Sequence, residues 1–358
     1  MQKNIKKTLL IWVGVCIFSI HLPSTAAPYT PVDGNEVIAN WQVLDTQKEV
    51  INLTTVREFI EQGQYPGESD YRYSRAKIWL QTQIKQNKNL STELFYLYAR
   101  VLQHQHQFDS ALKYLDDALA LNPADTNSWL LKANIHMVQG DADLAKRACL
   151  AMLGKTNLIV LSACALDVAS QDGQLDDSYQ ELVRLHTSQD LSNSTEQRWI
   201  VQMLADMALR NNDPAAANAH LKYFNLNNAP VSILTLWADT QFSLQQYEEV
   251  LLRLTPIVNA HSIKDDALLL RLAIAEKENS KRPYWQNVFA QRVVLRELRN
   301  DNLHAAELAR YYLDVNIQPE KALHWARVNW QVAQQHGDCS IKQQNFGKKI
   351  IGRLSEIY

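Results

Sequence analysis

A chain of 358 residues with 46% hydrophobic and 21% charged residues has the balance of a soluble folded protein, and a formal net charge of −2 offers nucleic acid no basic surface. Only 10 Gly and 10 Pro punctuate this length, which favours helices over many short strands. Length by itself leaves open two compact domains or one continuous repeat array.

The chain opens with Lys3, Lys6 and Lys7, an apolar run over residues 9–20 and the small-residue stretch Pro23-Ser24-Thr25-Ala26-Ala27, the layout of a secretory signal. Ser24 and Ala26 suit a signal peptidase, so cleavage is expected before Ala27. Residues 1–26 then leave, and 27–48 form an extended start to the mature chain. The apolar run is shorter than the roughly 20 residues that cross a bilayer. No stable membrane span is therefore expected after cleavage, and the protein is expected in the periplasm. Removing three lysines and no acid takes the net charge from −2 to −5, again unsuited to nucleic acid.

Residues 49–91 carry an atypical pair of helices, one over 50–62 and one over 70–85, joined by the breaker-rich Gly63-Gln64-Tyr65-Pro66-Gly67. From there a period of 34 residues appears. It carries Phe95 to Trp129, Ala99 to Ala133, His106 to Gly140, Phe108 to Ala142, Ala111 to Ala145 and Leu115 to Cys149. In the unit over 92–125, Phe95, Ala99 and Leu102 share one helical face and Ala111, Leu115 and Ala118 another, before Asn122-Pro123 stops the second helix. Small Ala99 and Ala111 allow two helices to approach, while Phe95 and Phe108 fill the wedges beside them. The unit over 126–157 repeats this with Trp129, Ala133, Gly140, Ala145 and Ala148.

The stretch from Phe108 to Pro123 closely resembles the second helix of a tetratricopeptide repeat, and Trp129 and Gly140 match residues that family prefers. The resemblance implies an all-α protein: antiparallel helix pairs stacked in a right-handed solenoid, with a concave inner face and degenerate terminal repeats. The array is expected over 92–259. Gly173 with Leu182 and Leu185, Asn212-Asp213-Pro214 with Leu221 and Phe224, and Gln246-Tyr247 each mark a further second helix. Residues 260–358 are expected to hold degenerate helical repeats and a C-terminal cap. Pro319-Glu320-Lys321-Ala322 opens a last second helix there, and the two helices between 264 and 298 show no repeat signature. The segment Tyr29-Thr30-Pro31-Val32-Asp33-Gly34 resembles the opening of exported bacterial repeat proteins without an assigned activity.

Three cysteines remain in the mature chain, Cys149, Cys164 and Cys339, allowing at most one internal bridge. The repeat register puts Cys149 and Cys164 on neighbouring antiparallel helices. A bridge there would close a loop of about 15 residues and stabilise the junction by roughly 3 kcal/mol; two buried free thiols are the other reading.

No complete catalytic set is present, and no cofactor or metal is expected. Gly154-Lys155-Thr156 lacks the earlier glycine of a phosphate loop, since Cys149 stands there. Ser74-Arg75-Ala76-Lys77 has Ser-x-x-Lys spacing but no accompanying Lys-Thr-Gly strand. His104 and His106 have no nearby ligands to complete a metal site. The adjacent pairs Asp116-Asp117, Asp176-Asp177 and Asp265-Asp266 diverge by about 100° on a helix and read as solvated faces or helix starts.

In such a repeat the first helix lines the concave face. The candidate partner-binding residues are Glu93, Tyr96, Arg100 and Gln103, then Asn127, Leu130, Asn134 and Met137, a mixture suited to an extended peptide or a helix. Asn134 matches an asparagine of the family's carboxylate clamp, but Tyr96 and Leu130 replace the needed lysine. The expected function is a non-enzymatic protein-interaction scaffold of the cell envelope. The alternatives are a periplasmic binder of glycans or small ligands, or an envelope hydrolase using the aromatic-rich C-terminal helices around Tyr284, Trp285, Tyr311, Tyr312, Trp325 and Trp330.

Overall fold

The computed structural model describes residues 51–187, 195–279 and 282–333. The expected signal over 1–26, the extended stretch 27–48, Cys339 and Lys348-Lys349 lie outside these residues. The described part holds sixteen α-helices and no strand. They are α1 (Leu53–Gln62), α2 (Ser69–Lys85), α3 (Thr92–His104), α4 (Phe108–Leu121), α5 (Thr126–Gln139), α6 (Ala142–Leu150), α7 (Leu158–Gln171) and α8 (Leu175–Thr187). There follow α9 (Thr195–Arg210), α10 (Pro214–Leu221), α11 (Val231–Ser243), α12 (Tyr247–Asn259), α13 (Asp266–Glu278), α14 (Tyr284–Leu298), α15 (Ala305–Asp314) and α16 (Pro319–Ala333).

Consecutive helices pack in antiparallel pairs, and each first helix also touches the first helix of the next pair, from α1 on α3 through α13 on α15. The second helices have at most marginal contact with one another. An array whose odd-numbered helices crowd together curves toward them, so α1, α3, α5, α7, α9, α11, α13 and α15 form the inner layer of an all-α repeat solenoid.

One backbone device ends five of the first helices. His106, Gly140, Gly173, Asn212 and Gln245 all adopt positive φ, between 56° and 96°. The next residue then donates its N–H back into the helix: Gln107 to the Leu102 carbonyl, Asp141 to His136, Gln174 to Ala169, Asp213 to Ala208 and Gln246 to Gln241, at 2.8–3.0 Å. This left-handed cap satisfies carbonyls that a helix end leaves orphaned. Glycine takes the conformation without strain, whereas histidine and glutamine there cost on the order of 1 kcal/mol.

Five residues beyond each cap stands a buried side chain small enough for close approach, Ala111, Ala145, Ser178, Ala217 or Val250, none more than 2% exposed. Four further on come Leu115, Cys149, Leu182, Leu221 and Leu254, each 0–1% exposed. Ala76 in α2 and Ala322 in α16 are likewise fully buried. The register thus reaches past the units that are plain in the sequence.

One expectation is corrected. The register predicts Phe224 on a second helix, but α10 stops at Leu221 and Phe224 lies in the turn beyond. The two helices read from the sequence between 264 and 298 are α13 and α14, which pack as a pair. Their turn is built by a side chain: the buried Glu276 carboxylate accepts from the backbone N–H groups of Tyr284, Trp285 and Gln286 at 2.9–3.0 Å, capping α14. A carboxylate is at home on those unpaired donors at a helix N-terminus. Asp266, 6% exposed, then ties α13 to α14 through Arg292 and Arg296 at 3.2 and 2.8 Å.

The core is segmented along the array. One cluster covers α1–α4 and takes in Ile135 of α5, another runs from α9 to α16, and two smaller ones lie between. One of the smaller clusters joins α5, α6 and α7 around Ala133, Ala145, Ala148, Met152 and Val168. Cys149 and Cys164 sit inside it and are bonded, with S–S 1.97 Å and Cα–Cα 5.7 Å.

The array also touches itself at long range. The Val231 N–H donates to the Gln64 carbonyl at 2.9 Å, and the Gly67 N–H to the Asp265 carboxylate at 2.8 Å. The turn between α1 and α2 therefore rests on the linkers that lead into α11 and α13. The first pair thus meets the starts of the sixth and seventh in a seam.

Candidate partner-binding groove

The inner face can be followed by counting six residues back from each cap, which gives Arg100, Asn134, Asp167, Asp206 and Asp239 on α3, α5, α7, α9 and α11. Around them polar contacts join inner helices in three groups, α1 with α3 and α5, α7 with α9, and α11 with α13 and α15. Arg57 of α1 pairs with Glu93 of α3. Gln103 of α3 donates to the Asn134 amide oxygen of α5 at 3.2 Å. Arg210 of α9 reaches the Ser170 hydroxyl of α7 at 2.8 Å and its own Asp206 at 2.7 Å. Asp239 of α11 accepts from Arg271 of α13 at 2.8 Å and meets Arg310 of α15 at 2.7 Å, while Arg310 also holds Asp314 at 3.0 Å.

Charges in this enclosed face shift one another. Burial raises Asp167, the neighbouring Asp206 raises it further, and against Arg210 its pKa settles at about 6. At Asp239 burial acts in the same direction, but the Arg271 and Arg310 guanidinium groups outweigh it and hold the carboxyl below its usual range. Burial raises the Tyr96 phenol, opposed by Arg100, which also hydrogen-bonds it.

The family model for the tetratricopeptide repeat matches residues 92–135. The chain contains tetratricopeptide repeats. No curated protein matches it. The matched segment spans α3, α4 and most of α5, the part whose repeat period is plainest in the sequence.

Within these tetratricopeptide repeats the eight residues selected from the sequence divide into two groups. Asn127 and Asn134 are exposed. Glu93, Tyr96, Arg100, Gln103, Leu130 and Met137 are half-buried, with Tyr96 against the first core and Leu130 and Met137 against the central ones. Glu93 is engaged by Arg57, Gln103 by Asn134 and Tyr96 by Arg100, while Asn127 and Asn134 are the exposed members of the set. The sequence reading omitted Asp167, Ser170, Asp206, Arg210, Asp239, Arg271 and Arg310. For Asp167, Asp206 and Asp239, a count back from Gly173, Asn212 and Gln245 was the available signal.

The other motifs resolve into packing. Lys155 lies over the Trp129 ring at 5.7 Å. In Ser74-Arg75-Ala76-Lys77, Ala76 is buried, Arg75 sits over Phe59 at 4.7 Å and Lys77 donates to Gln105, away from Ser74. His104 stacks on Tyr73 with ring centroids 3.8 Å apart, and its Nε2 is 3.1 Å from the Ser69 hydroxyl. Burial and then His106 push His104 down to about 4, an effect tempered because the ring keeps an exposed edge. Among the described residues no group of three or more His, Cys, Asp or Glu is placed to hold a metal ion, and no helix is long and apolar enough to cross a membrane. Of the C-terminal aromatics, Trp285, Tyr311, Tyr312 and Trp325 are core residues at 3–5% exposure, while Tyr284 is 60% exposed.

Proposed function

We propose that this protein is a non-enzymatic scaffold of the cell envelope that holds an extended peptide or helix of a partner protein along its inner face. Tetratricopeptide repeats in general mediate protein–protein interaction, and the observation that carries the groove reading is the unbroken inner layer from α1 to α15 with the polar contacts along it. Side chains fixed by neighbours lose less freedom when a partner docks, which favours binding. The basic and apolar start of the chain supports export, and so does the Cys149–Cys164 bridge, since such bonds persist in oxidising compartments.

The test is recovery of partners from envelope extracts by the tagged full chain and by an Asn134→Arg variant. Position 134 is exposed, so the fold should be kept while the longer side chain obstructs the groove. Loss of the partner at an unchanged melting temperature supports groove binding; equal recovery by both proteins overturns it. Mass measurement of the mature chain from fractionated cells tests export, with a start at Ala27 expected.

A further inference from the structure

A second recess lies away from the inner face, between α10, α11 and α12. Helix α10 has only 8 residues and ends at Leu221, nine residues past its cap, whereas α4 runs on six residues past the equivalent Leu115. Where α4 places buried Ala118, the short helix leaves half-buried Phe224 in a turn, followed by the 3₁₀ turn Leu226–Asn228. The missing helical turn opens a cleft of about 720 Å³, a size typical of small-ligand sites.

Neutral amides dominate its lining: Asn218, Asn225, Asn227, Gln241 and Gln246, beside Trp237. Gln241 is 2% exposed and donates through Nε2 to the Asn218 Oδ1 at 2.9 Å. That bond orients both amides and does not use the two N–H groups of Asn218 Nδ2 or the Gln241 Oε1 oxygen. The charged residues at the rim, Lys222 and Arg253 against Glu248 and Glu249, balance in sign, and Arg253 already pairs with Glu249 at 2.8 Å. A ligand here gains nothing from net charge. Its polar groups must meet donors and acceptors arriving from three separate elements, around its periphery. A sugar ring presents hydroxyls in that way, while an extended peptide offers its amides along a line.

We propose that this cleft binds a short neutral oligosaccharide, with the amides on its hydroxyls and the Trp237–Phe224 wall against its C–H face. The site is independent of the inner groove.

Calorimetric titration of the full chain with chitotriose, maltotriose and cellotriose tests this, with an uncharged Asn-Ser-Thr-Gly peptide alongside. At least one trisaccharide should bind saturably. Asn227→Ala combined with Gln246→Ala, both exposed positions, should weaken it by about tenfold, the worth of one to two hydrogen bonds. Trp237→Phe should abolish the accompanying tryptophan fluorescence change, and Asn134→Arg should leave binding unaltered. Absence of saccharide binding up to about 10 mM, a level that detects even very weak complexes, overturns the proposal. So does affinity unchanged in the Asn227 and Gln246 double variant at retained melting temperature, or tighter binding of the peptide than of every sugar.

Discussion

Gly67 and Asp265 stand 198 residues apart in the chain, and the backbone N–H of the first donates to the carboxylate of the second at 2.8 Å. Gly67 has φ +75°, and a Cβ built on it would lie 2.7 Å from the Cβ of His261. Only a residue without a side chain lets the α1–α2 turn reach the linker before α13.

Gly67→Ala should therefore lower stability by about 2–3 kcal/mol, combining left-handed strain with overpacking at the seam. Gly154→Ala is the control: φ is +73° but nothing lies within 4 Å, so strain alone, about 1 kcal/mol, should appear. Denaturant unfolding measures both. Small-angle scattering should show expansion for the Gly67 variant only.

Reduction of Cys149–Cys164, or Cys149→Ser with Cys164→Ser, should cost about 3 kcal/mol for a loop of this length. Because the surrounding core is alanine-rich, hydrogen exchange should rise first in α6 and the start of α7. Unchanged protection there would show that the junction does not depend on the bridge.

Asp167 is raised to about 6 by burial and then by Asp206. A carboxyl whose folded pKa exceeds its unfolded value contributes stability that is fully present below the ordinary aspartate pKa and is lost as pH rises through about 6. Asp167→Asn should be more stable than the natural chain at pH 7 by about 2 kcal/mol, with the difference fading toward pH 4. Melting temperatures across that range check the sign.

Asp239 has the opposite sign. Its carboxyl is held low by Arg271 and Arg310 against the effect of burial, so its stability is present above the unfolded aspartate pKa and is lost as pH falls through the lowered value. Asp239→Ala leaves two guanidinium groups facing each other and should cost about 2 kcal/mol at neutral pH, less than a fully buried pair because the site is part-exposed. Chemical unfolding at pH 7 should show the loss, and the two proteins should converge in strong acid.

The sequence by itself determined the helix pairs and the inner-face register of the clearest repeats, because those depend on local facts. Phe95 and Trp129, or Ala111 and Ala145, recur at a fixed interval since each pair must pack its neighbour in the same way. The candidates Tyr96, Arg100, Leu130 and Asn134 followed from that register. Beyond it the signal weakened: His106, Asn212 and Gln245 occupy a position glycine fills elsewhere, and Glu276 builds a turn no spacing announces. The tertiary structure alone decided the seam of Gly67 with Asp265, the joining of Asp239 to Arg310 and the cleft beside Trp237. Each depends on how much the superhelix rotates per pair or on where one helix stops. Small differences at every interface add up along the array, and no single stretch of sequence encodes their sum.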